Sequence, residues 1–198
     1  MTDDESATPL TLFDVHDVHA RVLGPMLIEA STRWGEPAQA QEALLALHTR
    51  AVAGAPIAES EWVAALEPAL RQIYRHAYPY ARAYAAAAAD ARSYAAAHGY
   101  TAAAAGQFGA SYAEMNTDAN ARVHAAANAA ANAAVTAAAF ASGDLDAYAA
   151  TFPSARLRAA VLACAGDDPA RLTSMANQLR TALPRGFPLW LSPSADHR

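Results

Sequence analysis

The chain has 198 residues, a formal net charge of −5 and one cysteine, which is the size of a single domain with one hydrophobic core. Lysine is absent and all 14 basic residues are arginine, which excludes Schiff-base enzymes and P-loop nucleotide hydrolases, because both need a lysine. The acidic balance and the scattered arginines also argue against a nucleic-acid-binding protein, which needs a basic face.

Alanine makes up about 29% of the chain, far above ordinary usage. It has the highest helix propensity, and no segment shows β-branched alternation bounded by turn residues. The sequence therefore predicts an all-α fold, a single-domain, Ala-rich helical bundle of about six to eight helices, two of them long. Because alanine buries little area, the larger residues must anchor the packing.

The predicted organisation has three parts. Residues 1–10 form an acidic tail, residues 11–183 the helical bundle domain, and residues 184–198 a Pro-rich apolar tail. The first helix is predicted over about 11–33, with Thr11 or Asp14 as its cap and a kink at Pro25. The second helix is predicted over 37–52.

The third helix is expected to start at a Ser60 cap and to keep its helical pattern to His98, with Pro68 and Pro79 as bends or breaks. Thr101 caps the next segment, in which Gly106 and Gly109 are weak points, and the pattern is then unbroken from 111 to 142. Three shorter helices follow over about 144–152, 154–165 and 169–183, the last capped by Asp168.

The chain start carries neither a basic nor an apolar segment, so no signal peptide is predicted. The longest alanine stretch, 119–141, contains too many polar residues for a membrane span. We expect a cytoplasmic protein without membrane contact. Cys164 lies in an apolar run, where a thiol packs as a small hydrophobe.

A stripe of rings runs along the predicted helix around 73–98. Its members are spaced 4, 4, 3, 4, 3 and 4 residues apart and fall within one narrow arc: His76, Tyr80, Tyr84, Ala87, Ala91, Tyr94 and His98. One interpretation is a bundle core in which the hydroxyls find partners. The other is a polar-aromatic groove that receives a ligand or a partner helix.

A polar ladder follows at every fourth residue of the next long helix: Asn116, Asn120, His124, Asn128, Asn132 and Thr136. Each step of four advances about 40°, so the ladder winds around the helix. Its members are either exposed asparagines or part of a buried network that meets the tyrosine stripe. The candidate binding residues are accordingly His76, Tyr80, Tyr84, Tyr94, His98, Tyr112, Asn116, Asn120 and His124.

Metal and cofactor sites are not expected. No Glu-x-x-His motif exists, which excludes a ferritin-like di-iron centre. His16 and His19 are neighbours on the first helix, but two histidines are too few for zinc. We interpret them as part of a solvated helix face.

The segments 78–85, 111–117 and 128–132, with their alanine-tyrosine and alanine-asparagine patterns, resemble alanine-rich helical proteins of actinomycetes. Some of those proteins lie beside specialised-metabolite genes, and no activity is established for them. The resemblance spans about residues 60–165 and is compositional, so it transfers no catalytic residue. It implies a helical fold, and an accessory, resistance or immunity role would fit.

Two functional hypotheses remain. The first is a non-catalytic module that binds a partner protein or a small molecule through the Tyr/His/Asn surface, with a homo-oligomer as one form of partner. The second is a metal-free enzyme with His98 or His124 as general base, which requires both histidines and an acid to converge on one pocket. We favour the binding module.

Overall fold

The computed structural model describes residues 10–78 and 80–183. Within these ranges the chain forms nine α-helices, one π-helical turn and no β-strand, which confirms the predicted all-α class. The helices are α1 Leu12–Val18, α2 Gly24–Trp34, α3 Gln39–Val52, α4 Glu59–Ala77, α5 Tyr80–Ala97, α6 Ala102–Ser142, α7 Leu145–Ala149, α8 Pro153–Ala165 and α9 Pro169–Ala182. Most of the predicted acidic tail and all of the predicted apolar tail, residues 184–198, lie outside the described residues.

The predicted first helix is divided by a π-helical turn, His19–Leu23, that joins α1 to α2. Thr11 caps α1 as predicted, because its hydroxyl accepts a hydrogen bond from the Asp14 N–H and the Asp14 carboxylate accepts one from the Thr11 N–H. Pro25 follows the turn directly. Proline lacks an N–H and crowds the carbonyl four residues earlier, and a widened turn accommodates both.

The start of α4 differs from the prediction. Ser60 is not the cap, since the helix begins at Glu59 and the Glu61 carboxylate accepts the Ala58 N–H at 3.1 Å. The helical pattern predicted to reach His98 is broken after Ala77, so that α4 and α5 are separate helices. Pro79 itself lies outside the described residues.

Helix α6 is continuous for 41 residues, a length of roughly 60 Å. It is capped by Thr101, as predicted, through a hydrogen bond from the Ala104 N–H to the threonine hydroxyl. The predicted weak points at Gly106 and Gly109 do not interrupt it. The helix ends at Gly143, whose φ of 70° is left-handed.

The buried residues divide into two groups along α6. Residues 125–140 of α6 belong to the main core, which they share with α1 to α4 and with α7 to α9. The first half of α6 instead packs antiparallel against α5, and we call this pair the hairpin. Its contact is made of small side chains: Ala88, Ala91, Ala95, Ala105 and Ala113.

Close approach in the hairpin depends on Gly109. A Cβ atom at this position would lie 2.5 Å from the Ala88 carbonyl oxygen and 3.2 Å from Arg92. Since a backbone oxygen cannot move aside, only glycine permits this distance between α5 and α6.

The last three helices close the main core. Asp144 and Asp168 cap α7 and α9 by accepting backbone N–H groups, the latter as predicted. Helix α8 packs on α4, and α9 packs on α8. In the described part of the chain, no helix combines the length and the apolar character needed to cross a membrane.

Candidate functional site

The predicted ring stripe is not a continuous surface. His76 lies near the end of α4, where its ring stacks on Trp34 with centroids 4.3 Å apart. Tyr84, on α5, donates its hydroxyl to the Ala110 carbonyl at 3.3 Å. Tyr94 and His98 are exposed at the far end of α5, and the side chain of Tyr80 lies outside the described residues. The structure therefore separates His76 from the members on α5, whereas the rings of Tyr94 and His98 lie together, with centroids 4.1 Å apart.

His76 belongs to a polar cluster around Glu36. The Glu36 carboxylate forms ion pairs with His76 Nε2 at 2.9 Å and with Arg75 at 2.7 Å, and it accepts a hydrogen bond from Gln72. Burial favours the neutral acid, but the hydrogen bonds from His76 and Gln72 outweigh it and lower the pKa of Glu36. These contacts join α4 to the α2–α3 connection, so the role of His76 in the fold is structural.

The polar ladder winds as predicted along the part that the structure describes. Asn128 is exposed, Asn132 is half-buried and Thr136 is buried, which is the progression expected for steps of about 40°. The side chains of Asn116, Asn120 and His124 lie outside the described residues. Among the three ladder residues whose side chains the structure describes, only Thr136 is buried.

The hairpin carries an exposed aromatic face. Phe108, Tyr112 and Met115 follow one another at helical spacing, and 73% of Met115 is accessible. Tyr100 lies beside this row, with its ring centroid 6.0 Å from that of Phe108. Large apolar side chains so grouped on a water-exposed helix are typical of a contact surface.

Three histidines meet in the main core, and we call them the histidine cluster: His16, His19 and His48. The Nδ1 atoms of His16 and His48 are 3.0 Å apart, and the rings of His19 and His48 stack with centroids 4.3 Å apart. Helix α1 supplies the first, the π-helical turn the second and α3 the third. The prediction of a solvated face is thus wrong for His16, which is only 7% exposed.

Burial makes these histidines weak bases. It lowers the pKa of His16 to about 4. For His19, burial together with the charges of His16 and Arg156 lowers the pKa to about 3, and the pKa of His48 also falls well below its ordinary value. All three rings are therefore neutral at pH 7.

Aromatic rings surround the histidine cluster. Trp62 stacks on His16 at 5.4 Å, and Phe140 lies 4.7 Å from the same ring. Phe140 stacks in turn on Tyr148 of α7 at 5.1 Å. This arrangement holds the imidazoles in a mainly apolar environment, which explains their low basicity.

A cavity of about 40 Å³ opens beside His19. It is enclosed by side chains from the π-helical turn and from α2, α3, α4, α6, α7 and α8. Most of its wall is apolar, and the polar groups are few. Its lining residues are His19, Leu23, Leu27, Leu44, Leu66, Leu70, Ile73, Thr136, Phe140, Tyr148, Pro153, Arg156, Leu157 and Ala160.

Thr136, which lines the cavity, has an unpartnered hydroxyl. The residue is 1% exposed, and its Oγ1 atom is buried without a hydrogen-bond partner. Elsewhere in the helices, hydroxyls bond the carbonyl four residues earlier, as they do at Ser31, Thr49, Ser93, Thr173 and Thr181. Since an unpaired buried hydroxyl costs about 1–3 kcal/mol, this one is a candidate ligand contact.

Arg156 and Tyr148 complete the polar side of the cavity. The guanidinium of Arg156 lies 5.7 Å from the centroid of the Tyr148 ring and donates a 2.8 Å hydrogen bond to Thr151 Oγ1. Arg156 and His19 are both only partly buried, whereas Tyr148 is buried. The polar side of the cavity is therefore the side nearest to water.

The histidine cluster is not a metal site in this arrangement. No three potential ligands among the described residues are placed to hold a metal ion. Stacked imidazoles, such as those of His19 and His48, cannot both direct a lone pair at one ion. In the described part of the chain, no carboxylate forms a hydrogen bond or ion pair with the cluster either, so no acid orients a catalytic base.

Sequence reasoning did not single out His48, Tyr148 or Arg156, and it placed His16 and His19 on the wrong face. One local signal could have found the histidines. Residues Leu12, His16, His19 and Leu23 are spaced 4, 3 and 4 apart, which puts both histidines on the apolar face of their helix.

Comparison with known proteins gives no further guidance. The chain matches no protein-family model, no curated protein and no solved structure. Any function must therefore be argued from the residues themselves.

Proposed function

We propose that this protein is a non-catalytic binding protein that takes up a small molecule in the cavity between α4, α6 and α8. The observation that carries the proposal is the unpartnered hydroxyl of Thr136, a residue that lines a mostly apolar cavity. A mainly apolar cavity with a few convergent polar groups is the usual form of a small-molecule site. Sequestration of such a molecule is what an accessory or resistance protein of a metabolite system does.

The size of the cavity limits the ligand. Its volume of about 40 Å³ is roughly a quarter of the 150 Å³ that holds benzene in an engineered cavity. The ligand, or the part of it that enters, is therefore smaller than a six-membered ring.

Catalysis is less well supported than binding. Of the two histidines proposed as bases, His98 lies between α5 and the start of α6, whereas His124 is 22 residues into α6, a rise of about 33 Å, so their backbones are too far apart to border one small pocket. The neutral histidine cluster lacks an orienting acid among the described residues. Both observations favour a site that binds without reacting.

Binding can be tested by methyl NMR with small neutral molecules, of which propionamide is the first choice. We expect it to shift the Thr136 and Leu157 methyl signals. Ala160→Val places two additional carbons in the cavity, and we expect it to weaken binding at least tenfold. The matched control is Ala155→Val on the exposed face of the same helix. Absence of any shift with a panel of such molecules would exclude the proposed function.

A second candidate, self-association, rests on the exposed aromatic face of the hairpin. The occupant that this face fits best is a second copy of the chain, because a two-fold interface needs only one self-complementary patch. Antiparallel contact would cover Phe108, Tyr112 and Met115 of both copies.

Sedimentation over a range of concentrations tests this candidate. We expect a dimer in the wild type and a monomer for the double variant Phe108→Ser/Met115→Ser. Val135→Ser, which changes another exposed apolar residue of α6, is the control and should leave the dimer intact. A wild-type monomer at all concentrations would exclude this role.

A further inference from the structure

Arg156 carries a positive charge at the cavity without a carboxylate to balance it. None of the cavity-lining residues is acidic. Within the described residues, Arg156 forms no ion pair, whereas Arg33, Arg50 and Arg75 each pair with a glutamate. A partly buried guanidinium without a counter-ion is unfavourable, because burial weakens its hydration.

The hydrogen bonds of Arg156 do not neutralise this charge. Two of its five N–H groups are directed at the carbonyl and hydroxyl of Thr151, and its side chain also forms a hydrogen bond with Tyr148, so that all of these acceptors are neutral. These bonds fix the guanidinium at the start of α8. Donors of Arg156 thus remain for an acceptor in the cavity.

The other polar groups of the cavity are neutral donors. Burial raises the pKa of Tyr148 and lowers that of His19, so near pH 7 the phenol keeps its proton and the imidazole carries no charge. The Thr136 hydroxyl has a proton to donate. The cavity lining therefore combines one positive charge and several hydrogen-bond donors with a mostly apolar wall.

From these contacts we infer that the ligand is a short-chain monocarboxylate of two or three carbon atoms, because the cavity of about 40 Å³ has room for an alkyl part of about one or two carbons. Its carboxylate pairs with Arg156, and its alkyl part lies among Leu70, Ile73 and Leu157. A planar guanidinium favours a carboxylate, since it can donate two parallel hydrogen bonds. This inference rests on the proposed small-molecule function and adds the chemical class of the ligand.

The decisive comparison is between propionate and propionamide, which have nearly the same shape and differ in charge. Titration of the full-length protein at pH 7, followed by calorimetry or by the Thr136 methyl signal, gives both affinities. We expect propionate to bind about 10- to 100-fold more tightly, the range of a charge-assisted hydrogen bond.

Variants locate the charge that is responsible. Arg156→Gln should abolish the preference for propionate, whereas Arg158→Gln, an exposed neighbour on the same helix, should retain it. Should Arg156→Gln fail to fold, Arg156→Lys keeps the charge without the planar fork, and we expect it to weaken propionate binding several-fold while propionamide binding is unchanged.

The outcomes separate the two proposals. Equal affinities for propionate and propionamide, or a preference that survives in Arg156→Gln, would overturn the carboxylate inference and leave small-molecule binding intact. Binding of neither compound, together with no response to other small neutral molecules, would overturn both.

Discussion

His16 and His48 face each other in the core with their Nδ1 atoms 3.0 Å apart. At this distance one nitrogen donates a proton and the other accepts it, so both rings are neutral and hold complementary tautomers. The Nε2 atom of His48 is buried without a partner. A proton added to either ring would put a charge into an apolar environment, and a proton added to the accepting Nδ1 atom would also break the hydrogen bond between the rings.

The stability of the protein should therefore depend on pH. The pKa of His16 falls from an ordinary value of 6.5 to about 4 on folding, and burial also lowers the pKa of His48 well below 6.5. The unfolded chain binds protons first as the pH decreases, so the free energy of unfolding is largest above pH 6.5 and falls towards pH 4. The expected slope approaches about 1.4 kcal/mol per pH unit for each histidine.

Urea titrations at pH 7, 6 and 5 measure this slope. The double variant His16→Gln/His48→Gln should show a much smaller decrease, since His19 alone remains. His98→Gln, at an exposed position of the hairpin, is the control and should behave as the wild type. Parallel decreases in the wild type and the double variant would show that the pair is not responsible.

Thr136→Val should make the protein more stable and a weaker binder. The change keeps the shape of the side chain and removes a buried hydroxyl without a partner, so we expect the free energy of unfolding to rise by about 1–2 kcal/mol. Ligand affinity should fall several-fold. Thr49→Val, which removes an exposed hydroxyl bonded to Leu45, should change stability by no more than about 0.5 kcal/mol. A loss of stability in Thr136→Val would mean that the hydroxyl has a partner.

Two glycines of α6 should respond to alanine in opposite directions. Gly106 has no neighbouring atom within 4 Å of an added Cβ, so Gly106→Ala should stabilise by up to about 1 kcal/mol through helix propensity. Gly109→Ala would meet the Ala88 carbonyl oxygen and should destabilise the hairpin by about 1–3 kcal/mol. Amide hydrogen exchange of α5 in the two variants measures these changes in stability. Equal protection of the α5 amides in both variants would show that α5 and α6 can move apart without a loss of stability.

Cys164 should be unreactive in the folded protein. It is buried, its Sγ atom lies 3.8 Å from the Met26 carbonyl oxygen, and burial raises its pKa to about 12. A thiol-specific disulfide reagent should therefore label it only as fast as the chain opens. Ala155→Cys places a thiol at an exposed position of the same helix and should label immediately. Rapid labelling of native Cys164 would contradict the burial that we describe.

The fold could be predicted where the signal is local. Thr101 and Asp168 cap their helices by bonding to N–H groups two or three residues away, and a capping residue is visible in sequence. Pro25 was also recognised as a disturbance, but the sequence did not show that a π-helical turn would accommodate it. Alanine abundance was sufficient for the fold class.

The site could not be predicted, because its members come from opposite ends of the chain. His19 and Arg156 are 137 positions apart in sequence and line one cavity. The spacing of the first helix can place His16 on an apolar face, but the contacts of His16 with His48 and Trp62 depend on the tertiary packing. Thr136 was identified as part of a ladder, yet its missing hydrogen bond is a property of the tertiary structure.

Helix α6 connects the exposed aromatic face of the hairpin with the wall of the cavity. One end carries the aromatic face around Phe108, and the other carries Thr136 and Phe140 into the cavity wall. Coupling between two binding sites is reciprocal. If binding at the hairpin changes the free energy of ligand binding in the cavity, a bound ligand changes the free energy of binding at the hairpin by the same amount.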